Sequence, residues 1–199
     1  MDIKDLCDTL AEQSWVVHSD FISSDMVALI REDFILHQKN GTFKRAAISK
    51  GPTENVNADV RSDTILWLEE GASSGIQHAL FAKIQDLRQS INSQLYLGLR
   101  GFEGHYAAYP RGGFYQRHKD AFDKGNLRTV SLVLYLNETW KPEWGGQLRI
   151  FSGTHEGEIA TEVEPVGGRL VLFMSSEIEH EVVPSTVERR SFTGWFLQG

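Results

Sequence analysis

The chain has little cysteine and no long apolar run, and each lack excludes a class of structure. It contains one cysteine, Cys7, among 199 residues, so no disulfide forms within the chain, as expected in a reducing compartment. No apolar stretch approaches the roughly 18 residues that a transmembrane helix needs. The first residues also lack the apolar core of a signal peptide. We therefore expect a cytoplasmic protein without a membrane partner.

Basic residues are also in deficit. The chain has 20 Lys and Arg against 27 Asp and Glu, a net charge of -7. Broad binding to nucleic-acid phosphates needs a basic face, so no nucleic-acid partner is expected. The hydrophobic content of 41% and the charged content of 24% are globular values. The length fits one domain, and we predict a single domain over residues 1–199.

Apolar periodicity divides the chain into two parts. Helical spacing predicts amphipathic helices over residues 2–13, from Met26 to near Asn40, and over residues 73–92. After residue 93, short apolar runs alternate with turn residues, as in a β-sandwich or barrel. We predict a mainly β fold with flanking α: a double-stranded β-helix (jelly-roll) core over 93–199, supported by helices in 1–92. Residues 49–60, inside the region 42–68, lack periodicity and are predicted to be a lid or disordered.

The segment FYQRHKD at 114–120 holds the first candidate metal ligands. It follows a tight turn and is predicted to be a strand, in which residues i and i+2 point to the same face. His118 and Asp120 would then project together and form half of a site for a first-row metal. The alternative is a solvated pair on a surface strand, which is the commoner meaning of an isolated H-x-D.

A third ligand would decide between these alternatives. The other histidines are His18, His37, His78, His105, His155 and His180. His180 suits a ligand because it begins the strand HEVVP at the mouth of the predicted barrel, whereas His18 and His105 fit core or edge positions. Two histidines and one carboxylate form the facial triad of non-haem Fe(II) oxygenases, which leaves positions open for a co-substrate and dioxygen.

The usual co-substrate of such a site, 2-oxoglutarate, needs a buried cation for its second carboxylate. Arginine suits this role because its planar guanidinium pairs with a carboxylate through two hydrogen bonds. Arg189 and Arg190 follow His180 closely in the sequence. Strand alternation places Arg189 on one face with Thr193 and Trp195, and Arg190 on the face that carries phenylalanines. We predict that Arg189 faces the pocket and that Arg190 is structural or at the surface.

These residues and their neighbours resemble a known family. HKD at 118–120, HEVVP at 180–184 and R-x5-W at 189–195 resemble the Fe(II)/2-oxoglutarate dioxygenases. The resemblance is greatest to the prolyl-hydroxylase-domain (prolyl 4-hydroxylase) family, which includes the oxygen-sensing hydroxylases of animals and their bacterial relatives. YLN at 135–137, WGGQLRIF at 144–151, EPVGGRLVLF at 164–173 and VRSDTILWL at 60–68 match that family as well. The resemblance covers residues 42–199.

The resemblance implies a set of metal and co-substrate ligands. The implied ligands of Fe(II) are His118, Asp120 and His180. Dioxygen and 2-oxoglutarate are the implied co-substrates, with ascorbate as a candidate reductant. The implied contacts of 2-oxoglutarate are Arg189, Tyr135 and Thr193, in a pocket lined by Leu148 and Trp195. Judged from the residues alone, an aromatic of the barrel wall is the favoured interpretation of Tyr135, and Leu148 and Trp195 could equally be plain core.

The resemblance also implies residues near the substrate. Tyr109 matches a tyrosine that faces the metal pocket, although the turn between Tyr109 and His118 is one residue shorter than in the animal enzymes. Arg128 matches an arginine at the site entrance, where it could contact a peptide; an exposed loop arginine is the alternative. Arg61 and Asp63 match a pair at the base of the mobile substrate loop, with an ordinary surface ion pair as the alternative.

The implied activity is hydroxylation of a prolyl residue at C4 in a protein that exposes a proline, with release of succinate and carbon dioxide. In a bacterial setting, elongation factor Tu is a candidate substrate by analogy. The alternatives are a hydroxylase of a free amino acid or small metabolite, and a jelly-roll metal-binding module without catalysis. A nucleic-acid demethylase of the same metal class is disfavoured for two reasons. The chain is acidic, and Trp195 occupies the position at which those enzymes have a second arginine, in the pattern R-x5-R.

Overall fold

Helices occupy the first half of the chain. The computed structural model describes residues 1–47, 57–72, 75–121, 127–151 and 157–199. Within these ranges the α-helices are α1 (Ile3–Gln13), α2 (Ser24–Lys39) and α3 (Ile76–Leu95). The first two begin at side-chain caps, since Asp2 accepts from the backbone N–H of Asp5 and Ser23 from that of Met26. The predicted helices are thus confirmed, to within a few residues at their ends.

Strands dominate the second half. The described strands are β1 (Trp15–His18), β2 (Lys44–Arg45), β3 (Thr64–Leu68), β4 (Leu99–Tyr109), β5 (Tyr115–His118), β6 (Arg128–Tyr135), β7 (Leu148–Phe151), β8 (Ile159–Val163), β9 (Leu170–Met174), β10 (His180–Val182) and β11 (Arg189–Gln198). Short 3₁₀ segments cover Glu70–Ala72 and Pro142–Trp144.

The strands form two antiparallel sheets. The large sheet has the order β1-β9-β6-β11-β4-β3-β2, and the small sheet has the order β5-β10-β7-β8. One apolar cluster joins the facing sides of the two sheets and includes Val133, Leu148 and Phe173. Two sheets that pack face to face around such a cluster are a jelly roll, so the predicted fold class is confirmed.

A second, larger apolar cluster lies on the other face of the large sheet. It joins all three helices to the sheet through residues such as Leu10, Phe34, Ile84 and Phe192. Because side chains alternate along a strand, β6 sends Leu134 to the helices and Val133 to the space between the sheets. This shared core supports the predicted single domain over 1–199, which stays a prediction.

Residues 1–92, which were predicted to be a helical support, also contribute strands to the large sheet. Strands β1, β2 and β3 all precede residue 93, yet they extend both edges of the large sheet. The predicted lid at 49–60 lies largely outside the described residues, which resume at residue 57. Among the helices that the structure describes, none combines the length and the apolar character needed to cross a membrane.

Candidate active site

A cavity of about 580 Å³ is lined by residues of both sheets. From the small sheet and the bend after β5 come His118, Asp120, Leu148 and His180. From the large sheet and its approach come Arg61, Tyr109, Arg128, Arg189, Thr193 and Trp195. The fold therefore gathers into one cavity ten of the twelve residues predicted for the site.

The three predicted metal ligands converge at this cavity. His180 begins β10 and lies directly opposite His118, the last residue of β5, in the antiparallel ladder. The ligand atoms of His118, Asp120 and His180 all lie within 4.8 Å of one another. Their side chains are at most 11% exposed. A solvated surface pair, the alternative that the sequence left open, does not describe them.

Asp120 reaches the site by a different route from the one predicted. The sequence predicted a strand through residue 120, but β5 ends at His118 and Asp120 lies in the bend that follows. The bend is held where the backbone N–H of Ala121 donates to the carbonyl of Ser175, 3.1 Å away. The prediction of one strand face was wrong in its geometry, because the ladder with β10 ends at the pair of His118 and His180.

The carboxylate of Asp120 is fixed and kept ionised by its neighbours. The hydroxyl of Ser131 donates to its Oδ2 at 2.6 Å, and Oδ1 lies 3.5 Å from Nε2 of His118 and 3.8 Å from Nε2 of His180. Burial opposes the charged form, but the two imidazoles and the Ser131 hydroxyl outweigh it and hold the pKa of Asp120 well below its usual range. Asp120 therefore offers a negatively charged oxygen at neutral pH.

Both histidines offer Nε2, because a backbone carbonyl engages Nδ1 of each ring. Nδ1 lies 2.7 Å from the Gln116 carbonyl in His118, and 3.3 Å from the Ile178 carbonyl in His180. A carbonyl only accepts, so Nδ1 carries a proton, and Nε2 keeps its lone pair whenever the ring is neutral. Burial, followed by repulsion from a protonated His118 ring, lowers the pKa of His180 to about 4, so the His180 ring is neutral at pH 7. Two such imidazoles and one carboxylate fit Fe(II).

Arg189 places a buried cation in the same cavity. It is 2% exposed, and its Nε donates to the carbonyl of Gly146 at 3.0 Å. Among the residues that the structure describes, no carboxylate pairs with its guanidinium. A buried charge without a counter-charge is costly, so the site fits a ligand that brings its own anion.

The glycine pair of WGGQ allows this contact with Arg189. Gly146 has φ +74°, and a Cβ there would lie 2.8 Å from the Trp140 ring and 2.9 Å from Cβ of Ser185. Only glycine fits this backbone without strain, and its carbonyl can then accept from Nε of Arg189. The contact fixes the direction in which the guanidinium points.

Tyr135 lies beside Arg189 rather than on the cavity wall. The Arg189 guanidinium carbon is 5.0 Å from the centre of its ring, and the Tyr135 hydroxyl is buried and has no hydrogen-bond partner within the described part of the chain. Burial raises the pKa of Tyr135, so the hydroxyl keeps its proton. A donor without an acceptor beside an unpaired guanidinium fits a carboxylate that accepts from both.

The other predicted contacts of 2-oxoglutarate lie on the cavity wall. Thr193 and Trp195 share one face of β11 with Arg189, as the alternation predicted, and Leu148 begins β7 on the opposite sheet. Arg190 lies on the other face of β11, where it pairs with Glu188 at 2.6 Å and points towards the ring of Phe34. The pocket role of Arg189 and the structural role of Arg190 are thus separated by strand geometry.

Arg61 and Asp63 form a buried pair, not an ordinary surface ion pair. Nε and NH2 of Arg61 donate to the two oxygens of Asp63 at 2.8 and 2.6 Å. Burial disfavours the charge of Arg61, but Asp63 more than compensates and raises the pKa of the guanidinium. Arg61 also donates to the Ala47 carbonyl at 3.2 Å and covers the ring of Tyr115. The pair fixes the chain on both sides of the residues that the structure leaves undescribed.

Arg128 and Tyr109 lie at different places in the cavity. Arg128 begins β6, so it is not a loop arginine; it pairs with Glu103 at 2.7 Å and stacks on the ring of Trp195 at 3.6 Å. Tyr109 ends β4 directly opposite Arg189, whose guanidinium carbon is 4.9 Å from its ring. Burial raises the pKa of Tyr109, so its phenol stays protonated.

Sequence reasoning missed several residues of the site. Ser131 and Ser175, whose hydroxyls lie 2.9 Å apart, hold Asp120 from β6 and from the end of β9. Tyr115 stacks on His118 with ring centres 3.6 Å apart. Polar residues in or directly after apolar strands were the available signal for the two serines, since a buried hydroxyl needs a partner.

Comparison with known proteins agrees with this chemistry. A profile of the 2OG-Fe(II) oxygenase superfamily matches residues 104–197. Human Egl nine homolog 1 is 30% identical over 191 residues, which cover 91% of this chain and 43% of the human protein. This chain thus spans less than half the length of that curated relative. A crystal structure of a prolyl-4-hydroxylase from Pseudomonas putida is 38% identical, covers 100% of each chain and has a TM-score of 0.87.

A further solved structure supports the fold. It is a prolyl hydroxylase in complex with a hypoxia inducible factor oxygen degradation domain peptide fragment, from Trichoplax adhaerens. It is 24% identical, covers 98% of this chain and 89% of that chain, and has a TM-score of 0.88. The triad and the buried Arg189 lie in a jelly roll that the Pseudomonas putida enzyme shares over its whole length. This chain therefore belongs to the prolyl-hydroxylase family of 2OG-Fe(II) oxygenases, a family that uses Fe(II) and 2-oxoglutarate.

Proposed function

We propose that this protein hydroxylates a prolyl residue at C4 in a protein substrate and converts 2-oxoglutarate to succinate and carbon dioxide. The observation that carries the proposal is a buried arginine, without a carboxylate partner among the described residues, in the same cavity as a His–Asp–His triad. The Pseudomonas putida relative is a prolyl-4-hydroxylase, and the Trichoplax adhaerens structure contains a peptide. Both support a prolyl residue of a protein as the substrate.

In this proposal His118, Asp120 and His180 hold the metal. Bound Fe(II), with 2-oxoglutarate and dioxygen, supplies the oxidising power for insertion of oxygen into a C–H bond. The chain contributes preorganisation: the carbonyls of Gln116 and Ile178 keep each Nε2 lone pair available, and Ser131 fixes the carboxylate. Ligands that are already in position pay little reorganisation cost when the metal binds.

The co-substrate is bound by Arg189, Tyr135 and Thr193. The guanidinium of Arg189 supplies charge and donors to the distal carboxylate, and the Tyr135 phenol supplies a further donor. Thr193, on the same strand face, would donate its hydroxyl. Leu148 and Trp195 close the pocket with apolar surface and exclude water, which strengthens each of these charged contacts.

The substrate approaches from the side of Arg128. This arginine lines the cavity, where its guanidinium packs over the ring of Trp195 and pairs with Glu103. Tyr109 places a protonated phenol inside the cavity, where it orients the reacting residue. Arg61 and Asp63 hold the chain that enters the substrate loop, through the bond from Arg61 to the Ala47 carbonyl.

The proposal is tested with the purified protein, Fe(II), 2-oxoglutarate and ascorbate in air. Elongation factor Tu is the first protein substrate to add, and a whole extract of host proteins is the second. We expect succinate release and a gain of one oxygen on a proline, detected by mass spectrometry of proteolytic fragments. The His118→Ala variant is the matched control and should produce neither.

Other outcomes point to the alternatives. Hydroxylation of free amino acids without any modified protein would indicate a small-molecule hydroxylase. Without oxygen, Fe(II) and 2-oxoglutarate should give a weak visible charge-transfer band. If both the band and succinate were absent, the protein would be a metal-binding module without catalysis.

A further inference from the structure

We propose that His105 determines substrate specificity by accepting, at Nε2, a hydrogen bond from a backbone N–H beside the target proline. This inference rests on the proposed function and names the chemical group that the cavity recognises. Its evidence is the position of His105 between two parts of the cavity, the state of its two nitrogens, and the neighbours of its ring.

The strand register places His105 between the co-substrate residues and the rim. It lies on β4, directly opposite Thr193 of β11 on one side and Trp67 of β3 on the other. Thr193 shares its strand face with Arg189, and Trp67 is 40% exposed. Alternation along β4 gives Glu103, His105 and Tyr109 to the cavity, whereas Tyr106 packs against the helices. His105 therefore lies between the exposed Trp67 and the residues proposed to bind 2-oxoglutarate.

The two ring nitrogens of His105 differ. Nδ1 lies 3.2 Å from the backbone carbonyl of Tyr106, so Nδ1 carries a proton and donates. Burial, together with the positive charge of Arg61, lowers the pKa of the ring to about 4, so it is neutral at pH 7. In this tautomer Nε2 is an acceptor. It has no hydrogen-bond partner among the residues that the structure describes, although the ring is 3% exposed.

The surroundings of the ring narrow what Nε2 can accept. The rings of Trp67 and Trp195 pack against it, with centres 4.9 and 5.6 Å away. Neither indole donates to His105 among the contacts of the described residues, and the buried Nε1 of Trp195 forms no hydrogen bond there. Ionised 2-oxoglutarate has only acceptor oxygens, so the donor comes from the substrate. A prolyl residue inside a peptide has no N–H, so the donor is the N–H of an adjacent residue.

A core histidine satisfied by one bond is the competing explanation, and it predicts a different response to mutation. In that case replacing the ring by an apolar side chain alters stability and leaves substrate recognition unchanged. If Nε2 binds the substrate, the loss appears in KM for the peptide and not in KM for 2-oxoglutarate. An amide oxygen placed near the position of Nε2 should then restore recognition.

The experiment uses the metal-loaded, full-length protein and the peptide acetyl-Ala-Ala-Pro-Ala-Ala-amide. Two analogues of this peptide replace the N–H of the residue before, or after, the proline by an ester oxygen. Each peptide is assayed with the wild type, His105→Met and His105→Gln. We expect His105→Met to raise KM for the amide peptide by about 5- to 15-fold with kcat changed less than about twofold. His105→Gln should recover most of this loss.

The ester analogues supply the decisive comparison. One of them should raise KM for the wild type by a similar factor and should leave KM of His105→Met unchanged, because the two changes remove the same bond. The wild-type arm needs no variant, so it remains informative if His105→Met does not fold. Equal KM for the amide and both esters with the wild type would overturn the role of His105 alone. No hydroxylation of the amide peptide, of elongation factor Tu or of any protein in the host extract by the wild type would overturn the proposed function and this inference with it. If only a host protein is hydroxylated, a fragment of it around the modified proline replaces the amide peptide in the same comparison.

Discussion

Two of the arginines that line the cavity, Arg61 and Arg189, differ in their partners. Among the residues that the structure describes, only Arg61 of these two pairs with a carboxylate. Arg61 is bound through two hydrogen bonds to Asp63, which is itself buried. Arg189 is buried at least as deeply, yet its partner from the chain is the neutral carbonyl of Gly146. A buried ion pair is complete in the folded protein, whereas a buried single charge is a cost that a ligand can remove.

The contrast separates structure from binding. The pair of Arg61 and Asp63 ties β3 to the chain before the undescribed residues, and stability should depend on it. Arg189 is held in direction by Gly146 and enclosed by Tyr109 and Tyr135, and co-substrate affinity should depend on it. The comparison would be refuted if stability depended mainly on Arg189 and co-substrate affinity mainly on the pair of Arg61 and Asp63.

The largest expected effect is on co-substrate binding. Arg189→Met removes the charge that pairs with the distal carboxylate, so KM for 2-oxoglutarate should rise by about 100-fold or more. Arg189→Lys keeps the charge but loses the planar guanidinium, so its KM for 2-oxoglutarate should lie between those of the wild type and of Arg189→Met. Steady-state succinate assays over a range of 2-oxoglutarate concentrations measure this. An unchanged KM would show that Arg189 is not the anchor.

The next effect is on stability. Asp63→Asn leaves the guanidinium of Arg61 buried without its counter-charge, and the free energy of unfolding should fall by about 3 kcal/mol. Arg189→Met should change it by less than about 1 kcal/mol in the absence of co-substrate, since no ion pair is lost. Urea unfolding of both variants and the wild type makes the comparison. A larger loss in Arg189→Met than in Asp63→Asn would contradict it.

Ligand binding should substantially stabilise only a chain that keeps Arg189. With Fe(II) and no oxygen, 2-oxoglutarate at about 100 times its Kd should stabilise the wild type by about 2.7 kcal/mol. This corresponds to a rise in Tm of roughly 5–10 °C for a chain of this size. The Asp63→Asn variant should start from a lower Tm and show the same rise. Differential scanning fluorimetry should show a rise of only about 1 °C or less for Arg189→Met at that concentration, because a 100-fold weaker Kd leaves about 0.4 kcal/mol of stabilisation.

A smaller effect should follow from removing the hydrogen bond that orients the metal ligand Asp120. Ser131→Ala removes the hydrogen bond that orients Asp120, and Fe(II) affinity should fall by about 10- to 100-fold. Ser175→Ala is the matched control, because Ser175 contacts the Ser131 hydroxyl and not the carboxylate through its side chain. Competition with a chelator measures both. Equal losses would assign the effect to packing rather than to the orientation of Asp120.

The smallest effect is expected at the rim. Arg128 and Glu103 form an ion pair whose side chains are 19% and 26% exposed. Because water screens such a pair, Glu103→Gln should lower the free energy of unfolding by less than about 1 kcal/mol. Urea unfolding beside Asp63→Asn tests this directly. A loss as large as that of Asp63→Asn would place the rim pair in the same class as the buried one.

Local patterns in the sequence were sufficient to predict much of the site. Alternation along one strand separates Arg189 from Arg190, and the structure places them on opposite faces of β11. The motifs HKD and HEVVP predicted the three ligands, although the strand geometry given for Asp120 was wrong. The helices were also predictable, since apolar spacing and caps are properties of short segments.

Contacts between distant strands could not be predicted in this way. Ser131 reaches Asp120, Gly146 reaches Arg189, and Trp67 faces His105 only because the sheets bring separate segments together. The same applies to β1 and β3, which extend the large sheet although they lie among helices in the sequence. Pairing of short strands depends on which sheet edges are available, and that is a property of the assembled fold.

The sequence by itself determined the class of chemistry, because ligand types, an arginine and their spacing are readable along one dimension. Only the tertiary structure decided that, among the residues it describes, Arg61 has a carboxylate partner while Arg189 has none, and that Nε2 of His105 forms no hydrogen bond with them. The physical reason is that the energy of a charge or a polar atom depends on its burial and on its neighbours. Both are set by the strands that fold around it.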